Sequence, residues 1–361
     1  MKKDLKTLTL KELSAYLRDS GYPEFHAKQI FSWLYQKEVD DFYLMSNLSA
    51  NLRKQIASDF YLSQFKVDKK LVSKDGTRKY LFELEDGNVI EAVLIPHKDR
   101  NTVCLSTQVG CKFSCSFCAS GELGFVRNLN QAEMLNQILS IRKDIKKDIN
   151  NIVFMGIGEP LDNYDVLLSS IRIINAKYGF NIGQRRITIS TAGLIDGIKK
   201  LSREGLQVEL SVSLHSAIDS KRDKIMPISR KNPLDKLFPC LKDFTKRTKR
   251  KITFEYLLIG EFNTKLDDAK KLVSGIKGIH CKINLIPFNP IGKGNFMAPK
   301  KLEVLFFKDF LSKNKVDVII RQSRGQDIEA ACGQLRLPRR SDFRSEVGVP
   351  TPKGRRNTNN I

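Results

Sequence analysis

From about residue 101 this chain alternates short apolar runs with longer segments of helical period, and that alternation narrows the folds open to it. The candidate strands are TVCLST, NIVFMG, RRITIST, VELSVSLH, TFEYLLI, KINLIPF and VDVIIRQ. Helical patterns with start signals lie between most of them. Asn130 precedes Glu133 at capping-box spacing, and Met134, Ile138, Ile141 and Ile145 then share one face. Asn232 stands before Pro233, a cap residue ahead of a proline at the first helical position. Six or seven strand-then-helix units imply an α/β fold with a parallel sheet and helices outside. A closed eight-unit barrel needs one more unit, so a partial barrel is expected.

The flanks read differently. LTLKELSAYLRDSGY, AKQIFSWLYQK and LSANLRKQIASDF carry apolar residues at helical spacing, so residues 1–65 form a small helical domain. Its stripe of Phe31, Trp33, Leu34 and Tyr35 reads as core. Residues 66–100 form a connecting β segment, with KYLFELED and NVIEAVLIP on either side of a turn at Asp86-Gly87-Asn88. In the second run Glu91 alternates with Ile90 and Ala92, which places its carboxylate on an outward face. Residues 101–337 are the core of the protein. Residues 338–361 have no apolar period, are rich in arginine, and read as a disordered tail.

Charge points to a class of partner. The 361 residues hold 62 Lys+Arg against 40 Asp+Glu, a formal net charge of +22. Such a field attracts polyanions, nucleic acid first and an anionic membrane surface second. No apolar run is long enough to span a membrane, and the N-terminus is broken by charges, so no signal peptide is expected. That makes the cytoplasm the expected compartment, with reduced thiols. Seven cysteines at uneven spacing are no disulfide framework.

Three of those cysteines, Cys111, Cys115 and Cys118, sit at C-x3-C-x2-C within GCKFSCSFCASG. The loop that carries them follows the first candidate strand. MGIGEP, STAG, SLHS and PFNP close four later strands, so small and polar residues gather at one rim, where such folds place their function. A structural zinc site wants four ligands, and no second pair is present: Cys104, Cys240, Cys281 and Cys332 are isolated and read as lone buried thiols. Thiolates also hold iron–sulfur clusters, and three of them leave one iron of a four-iron cluster open to an amine and carboxylate. Spacing alone leaves both metals in play.

C-x3-C-x2-C with an aromatic residue before the third cysteine resembles the signature of radical S-adenosylmethionine (SAM) enzymes. TVCLSTQVGCKFSCSFCASGELGFVRNL, FMGIGEPLDNYDVL, RITISTAGLI, LSVSLHSAIDSKRDKIMPI, INLIPFNP and RGQDIEAACGQL, in this order, resemble the dual-specificity RNA methyltransferases that act on carbon 2 of adenosine. The likeness runs from the N-terminal helices to about residue 337 and leaves out the tail. It implies a partial (β/α)6 radical SAM barrel with an N-terminal domain that engages RNA. It also implies a 4Fe-4S cluster on Cys111, Cys115 and Cys118, and two SAM molecules per turnover. The partners it implies are 23S rRNA, tRNA and an electron donor such as flavodoxin or ferredoxin. The expected state is a monomer.

The resemblance assigns roles residue by residue. Cys332 would take a methyl group from one SAM, since a thiolate is the nucleophile that carbon 2 of adenine is not. A 5′-deoxyadenosyl radical from a second SAM would activate that methyl. Cys104 would then form a disulfide with Cys332 and release the product. Glu91 occupies the position of the base. Glu159 would take the cofactor's ammonium group, with Gly158 allowing close backbone approach, and Ser190, Ser213, Leu214, His215 and Asn289 would hold the rest. The target base would leave its stack to react. Two rivals remain at this stage. A related enzyme acting on carbon 8 would share these cysteines, although GEP and LIPFNP favour carbon 2. A zinc-dependent RNA-binding protein would have no use for Cys332 or Glu159.

Overall fold

The computed structural model describes residues 2–121, 124–289 and 296–335. The tail assigned to 338–361, Pro290 of the PFNP stretch, and Glu122 and Leu123 beyond the cysteine loop lie outside the described residues.

The N-terminal unit comprises β1 (Lys3–Asp4), α1 (Leu10–Asp19), α2 (His26–Tyr35), α3 (Ala50–Asp59) and β2 (Phe60–Tyr61). Thr9 and Glu12 form a reciprocal capping box at the start of α1, and Ser49 caps α3. β1 pairs with β2 in parallel and draws the ends of the unit together. Phe31, Leu34 and Tyr35 are buried core residues. Trp33 is half-buried, and its indole N–H donates to Asn47.

The rest of the described chain supplies β3 (Lys66–Val72), β4 (Arg78–Glu83), β5 (Val89–His97), β6 (Arg100–Cys104), β7 (Gln108–Gly110), β8 (Phe125–Asn128), α4 (Gln131–Ile145), β9 (Asn151–Phe154), α5 (Tyr164–Asn175), β10 (Ile187–Thr191), α6 (Ile195–Leu201), β11 (Glu209–Ser213), α7 (Asp219–Ile225), α8 (Leu234–Thr248), β12 (Ile252–Leu258), α9 (Leu266–Gly275), β13 (Cys281–Pro287), α10 (Lys301–Lys313) and β14 (Val318–Ile320). Ten strands make one sheet in the order β14-β13-β12-β11-β10-β9-β6-β5-β4-β3. Neighbours from β14 to β6 run parallel, joined through helices, while β6, β5, β4 and β3 pair antiparallel. The parallel part is six strand–helix units closed by β14, an open barrel of the expected class. Residues 66–100 continue its sheet. β3 is a lysine-rich, largely exposed edge strand, and its lack of buried apolar residues hides it from hydropathy reading.

Asn130 and Glu133 form the expected capping box, with Met134, Ile138 and Ile141 buried behind it. Asn232 acts elsewhere. Pro233 is itself the extended cap of α8, and Asp219 accepts from the Leu234 N–H at 3.0 Å. The Asn232 side chain instead accepts from the Ile195 N–H, 3.0 Å away, at the start of α6. A residue before proline disfavours the helical region, which frees Asn232 to reach a neighbouring helix.

The N-terminal unit docks on α4 through buried polar contacts. The Lys6 ammonium donates to Asn136 at 2.8 Å and to the Ser63 carbonyl at 2.6 Å. The Gln131 amide donates to the carbonyls of Lys6 and Leu8. Among the described residues, no helix is long and apolar enough to cross a membrane.

The parallel strands turn one face to the helices and the other to the lumen. Ile187, Ile189, Leu210, Val212, Phe254, Ile283 and Leu285 pack in the main core against the helices. The alternate residues Thr188, Glu209, Ser211, Thr253, Glu255, Lys282 and Asn284 face the barrel lumen.

Candidate active site

Six loops at the strand ends enclose a cavity of about 170 Å³. Its walls carry Cys111, Cys115, Cys118, Gly158, Glu159, Ser190, Ser213, His215, Asn289 and Cys332. Most residues singled out by the sequence thus meet in one place. Leu214, Cys104 and Glu91 do not line it. Leu214 follows Ser213, so alternation turns its side chain into the helical core, where it is fully buried. A cofactor in this cavity could meet Leu214 only through its backbone.

The cysteine loop springs from a hairpin that the sequence did not announce. β7 and β8 pair antiparallel, and the Cys111 N–H donates to the Gly124 carbonyl at 3.0 Å. Ser116 is tied to the Ile225 carbonyl, and Ala119 to the Gly333 carbonyl beside Cys332. All seven cysteines are free. Burial raises the pKa of all three loop thiols, that of Cys111 to about 11, and repulsion between their charges adds to this at Cys111 and Cys115. Three half-buried thiols on one cavity wall therefore need positive charge to stand as thiolates. Among the described residues, no three His, Cys, Asp or Glu side chains converge on a point one ion could occupy. A four-iron cluster takes one thiolate per iron, so the donor set and its spread fit a cluster better than a lone zinc ion.

Glu159 follows β9 and is 4% exposed. One carboxylate oxygen accepts from the Ala192 N–H at 2.7 Å, the other from the Leu161 N–H at 3.1 Å. Burial still lifts its pKa to about 7. Gly158 has φ +101°, and a Cβ there would lie 2.6 Å from the Gln108 Cβ. The glycine is required by its own backbone and by Gln108, whose side chain accepts the Glu159 N–H at 2.9 Å. His215 sits at φ +56°. Its Nδ1 accepts from the Leu257 N–H at 3.0 Å, and its ring stands edge-on to Phe117 at 4.7 Å. Burial lowers its pKa to about 3, so the ring is neutral with its proton on Nε2, a donor rather than a base. Asn289 is bonded to Ser323 at 2.7 Å and to Gln326.

A second cavity, of about 610 Å³, fills the lumen towards the strand starts. Met155, Glu255, Ile286, Arg321 and Cys332 line both cavities and form their junction. Cys332 is exposed there, contrary to its reading as a lone buried thiol, because it sits on the segment that crosses the lumen. Cys104 is buried opposite Val93, and its pKa is pushed to about 12 by burial first and by the Cys332 charge second. Glu91 does not face outwards. It is 3% exposed, with Lys79 3.3 Å away and also buried. Ile90 and Ala92 join the main core, while Val93 packs with Cys104, Ala330 and Leu335, so the C-terminal segment covers the face that alternation assigned to solvent. The sequence reading also missed Glu255, Asn284, Ser211 and Arg321. Polar residues at every second position of strands flanked by helices were the available signal.

Comparison with known proteins agrees with this geometry. Residues 3–62 match the ribosomal RNA large subunit methyltransferase N-terminal domain, and residues 105–273 match the radical SAM superfamily. A probable dual-specificity RNA methyltransferase RlmN of Syntrophomonas wolfei is 44% identical, covering 95% of this chain and 98% of the relative. The dual-specificity RNA methyltransferase RlmN of Pelobacter propionicus is 45% identical over 93% of this chain and 96% of its own. A crystal structure of a radical SAM methyltransferase from Sphaerobacter thermophilus superposes with a TM-score of 0.87 at 39% identity, covering 92% of this chain and 99% of that one. Fold, cavity and relatives converge: the chain belongs to the dual-specificity RNA methyltransferase family RlmN of the radical SAM superfamily and is a SAM-dependent RNA methyltransferase.

Proposed function

We propose that this enzyme methylates carbon 2 of adenosine in 23S rRNA and in tRNA, through a methyl group carried on Cys332. The observation that carries the proposal is the place of Cys332, exposed at the junction of the cysteine-lined cavity and the lumen.

Cys111, Cys115 and Cys118 hold a 4Fe-4S cluster. When bound, the cluster supplies the electron that splits SAM into methionine and a 5′-deoxyadenosyl radical. Glu159 takes the SAM ammonium group, and Gly158, Ser190, Ser213, the Leu214 backbone, the His215 Nε2–H and Asn289 orient the remainder. The Cys332 thiolate attacks the methyl carbon of one SAM and displaces S-adenosylhomocysteine, so the methyl group comes to rest on its sulfur. It then loses a hydrogen atom from that methyl to the radical from a second SAM and presents the resulting methylene radical to carbon 2. Glu91 would take the proton that the radical adduct sheds as its unpaired electron returns to the oxidised cluster. Cys104 attacks the Cys332 sulfur. The sulfur–carbon bond breaks, a disulfide forms, and the released methylene carbon takes up the proton that the Cys104 thiol gave up, so the base leaves with a methyl group. Residues 1–65 engage RNA as an accessory domain, residues 66–100 are the connecting β segment, and residues 101–337 are the catalytic core. The enzyme works as a cytoplasmic monomer with a flavodoxin or ferredoxin as electron donor.

Nucleoside mass spectrometry of ribosomal and transfer RNA, from a host lacking the modification, tests this. Expression of the chain is expected to restore 2-methyladenosine, and Cys332→Ala to abolish it. 8-Methyladenosine would move the enzyme to the carbon-8 branch. A colourless protein holding one zinc would end the radical reading.

A further inference from the structure

At and beside the cavity junction, two buried acceptors have no hydrogen-bond partner among the described residues. Glu255 is 5% exposed and lies in the middle of β12. One carboxylate oxygen, Oε1, takes both local donors, the Ser211 hydroxyl at 2.8 Å and the Asn284 amide at 2.9 Å. Its other oxygen, Oε2, accepts no hydrogen bond among the described residues, and neither does Asn284 Oδ1. The amide orientation of Asn284 is set, because reversing it would turn two oxygens on each other. Arg321 Nη1 stands 3.8 Å from Glu255 Oε2. Burying acceptors without donors is costly, so a site that keeps two of them beside a cation is shaped for a ligand that brings N–H groups and a ring acceptor.

We infer that Glu255 and Asn284 read the 6-amino group of the target base, and that Arg321 reads its N1. This rests on the proposed carbon-2 chemistry and extends it to base selection. Adenine C2 and C6 flank N1, so a base whose C2 meets Cys332 points its amino group one ring atom further along the same edge. Cys332, Arg321 and Glu255 share the junction, and Asn284 adjoins it in the lumen. Among purines with hydrogen on C2, adenine alone among the usual bases offers a donor pair beside a ring acceptor. Flipped bases are commonly recognised by this edge.

The test compares RNA carrying adenosine, purine riboside or inosine at the target position. With the wild-type holoenzyme, purine riboside is expected to react at a kcat/KM at least ~10²-fold below adenosine, since sites built to bind an N–H reject analogues lacking it. Glu255→Gln adds a sharper arm. Its amide oxygen must stay with the Ser211 and Asn284 donors, so an NH₂ replaces the free oxygen and turns an acceptor into a donor. The inosine-to-adenosine ratio is expected to rise by ~10²-fold in enzyme that carries its cluster. Equal wild-type rates on adenosine and purine riboside would overturn the inference, as would a Glu255→Gln enzyme that forms 5′-deoxyadenosine and keeps the wild-type ranking. Loss of any 2-methyl product from the adenosine RNA with wild type would overturn the parent reading, and this one with it.

Discussion

The rim of the barrel and its lumen solve one problem in different ways. Each buries carboxylates, Glu159 at the rim and Glu255 in the lumen, and a third, Glu91, lies buried within β5. Glu159 is served by backbone, accepting N–H bonds from Leu161 and Ala192 where two strands have ended. Inside a strand, backbone N–H groups already belong to the sheet ladder. Glu91 therefore draws on side chains, Lys79 among them, and Glu255 on Ser211, Asn284 and Arg321. A carboxylate at a strand end can be solvated by the fold itself. A carboxylate within a strand is only as secure as its side-chain neighbours.

That difference can be broken by mutation. Lys79→Met should have the largest effect on stability, because it removes a buried cation 3.3 Å from the Glu91 carboxylate. Removing one partner of a buried pair costs about 3–5 kcal/mol, and Lys79→Met with Glu91→Gln should recover most of it in denaturant titrations. Retained stability in the single variant would mean that the fold, and not Lys79, carries Glu91.

Glu159→Gln should act less on stability and more on ligand. The amide can accept from only one of the two backbone N–H groups, so the loop should lose about 1–3 kcal/mol while SAM binding weakens roughly tenfold or more in equilibrium titration. Its pH dependence has a definite sign. The folded-state pKa lies above the ordinary carboxyl value, near 7 against 4.5, so the folded protein binds this proton more tightly than the unfolded chain. Its contribution to stability is highest below 4.5 and falls as pH rises towards 7. The Gln variant should lack that slope.

The same contrast explains what the sequence revealed. Rim residues interrupt apolar strands with GIGEP, STAG and SLHS, so Glu159, Ser190, Ser213 and His215 stand out. The three loop cysteines are legible from spacing, and the capping box of α4 from two residues. Lumen residues do not interrupt anything. Ser211, Glu255 and Asn284 alternate with core residues, and a pattern of period two in a strand ordinarily signals a solvent face. The same rule misplaced Glu91, because the segment that covers it is distant in sequence and was read for Cys332 alone. β3 was missed for lack of buried apolar side chains, and Asn232 caps a helix the local pattern cannot name.

The most direct test of the central proposal, that carbon 2 receives its methyl group from Cys332, is to look for the covalent adduct. Cys104→Ala should remove the thiol that frees the product, so cluster-loaded enzyme given SAM, reductant and RNA should accumulate RNA on the protein. Protease and nuclease digestion with mass spectrometry should locate a methylene-linked adenosine on Cys332. Free 2-methyladenosine released at the wild-type rate, or an adduct on any other cysteine, would contradict it.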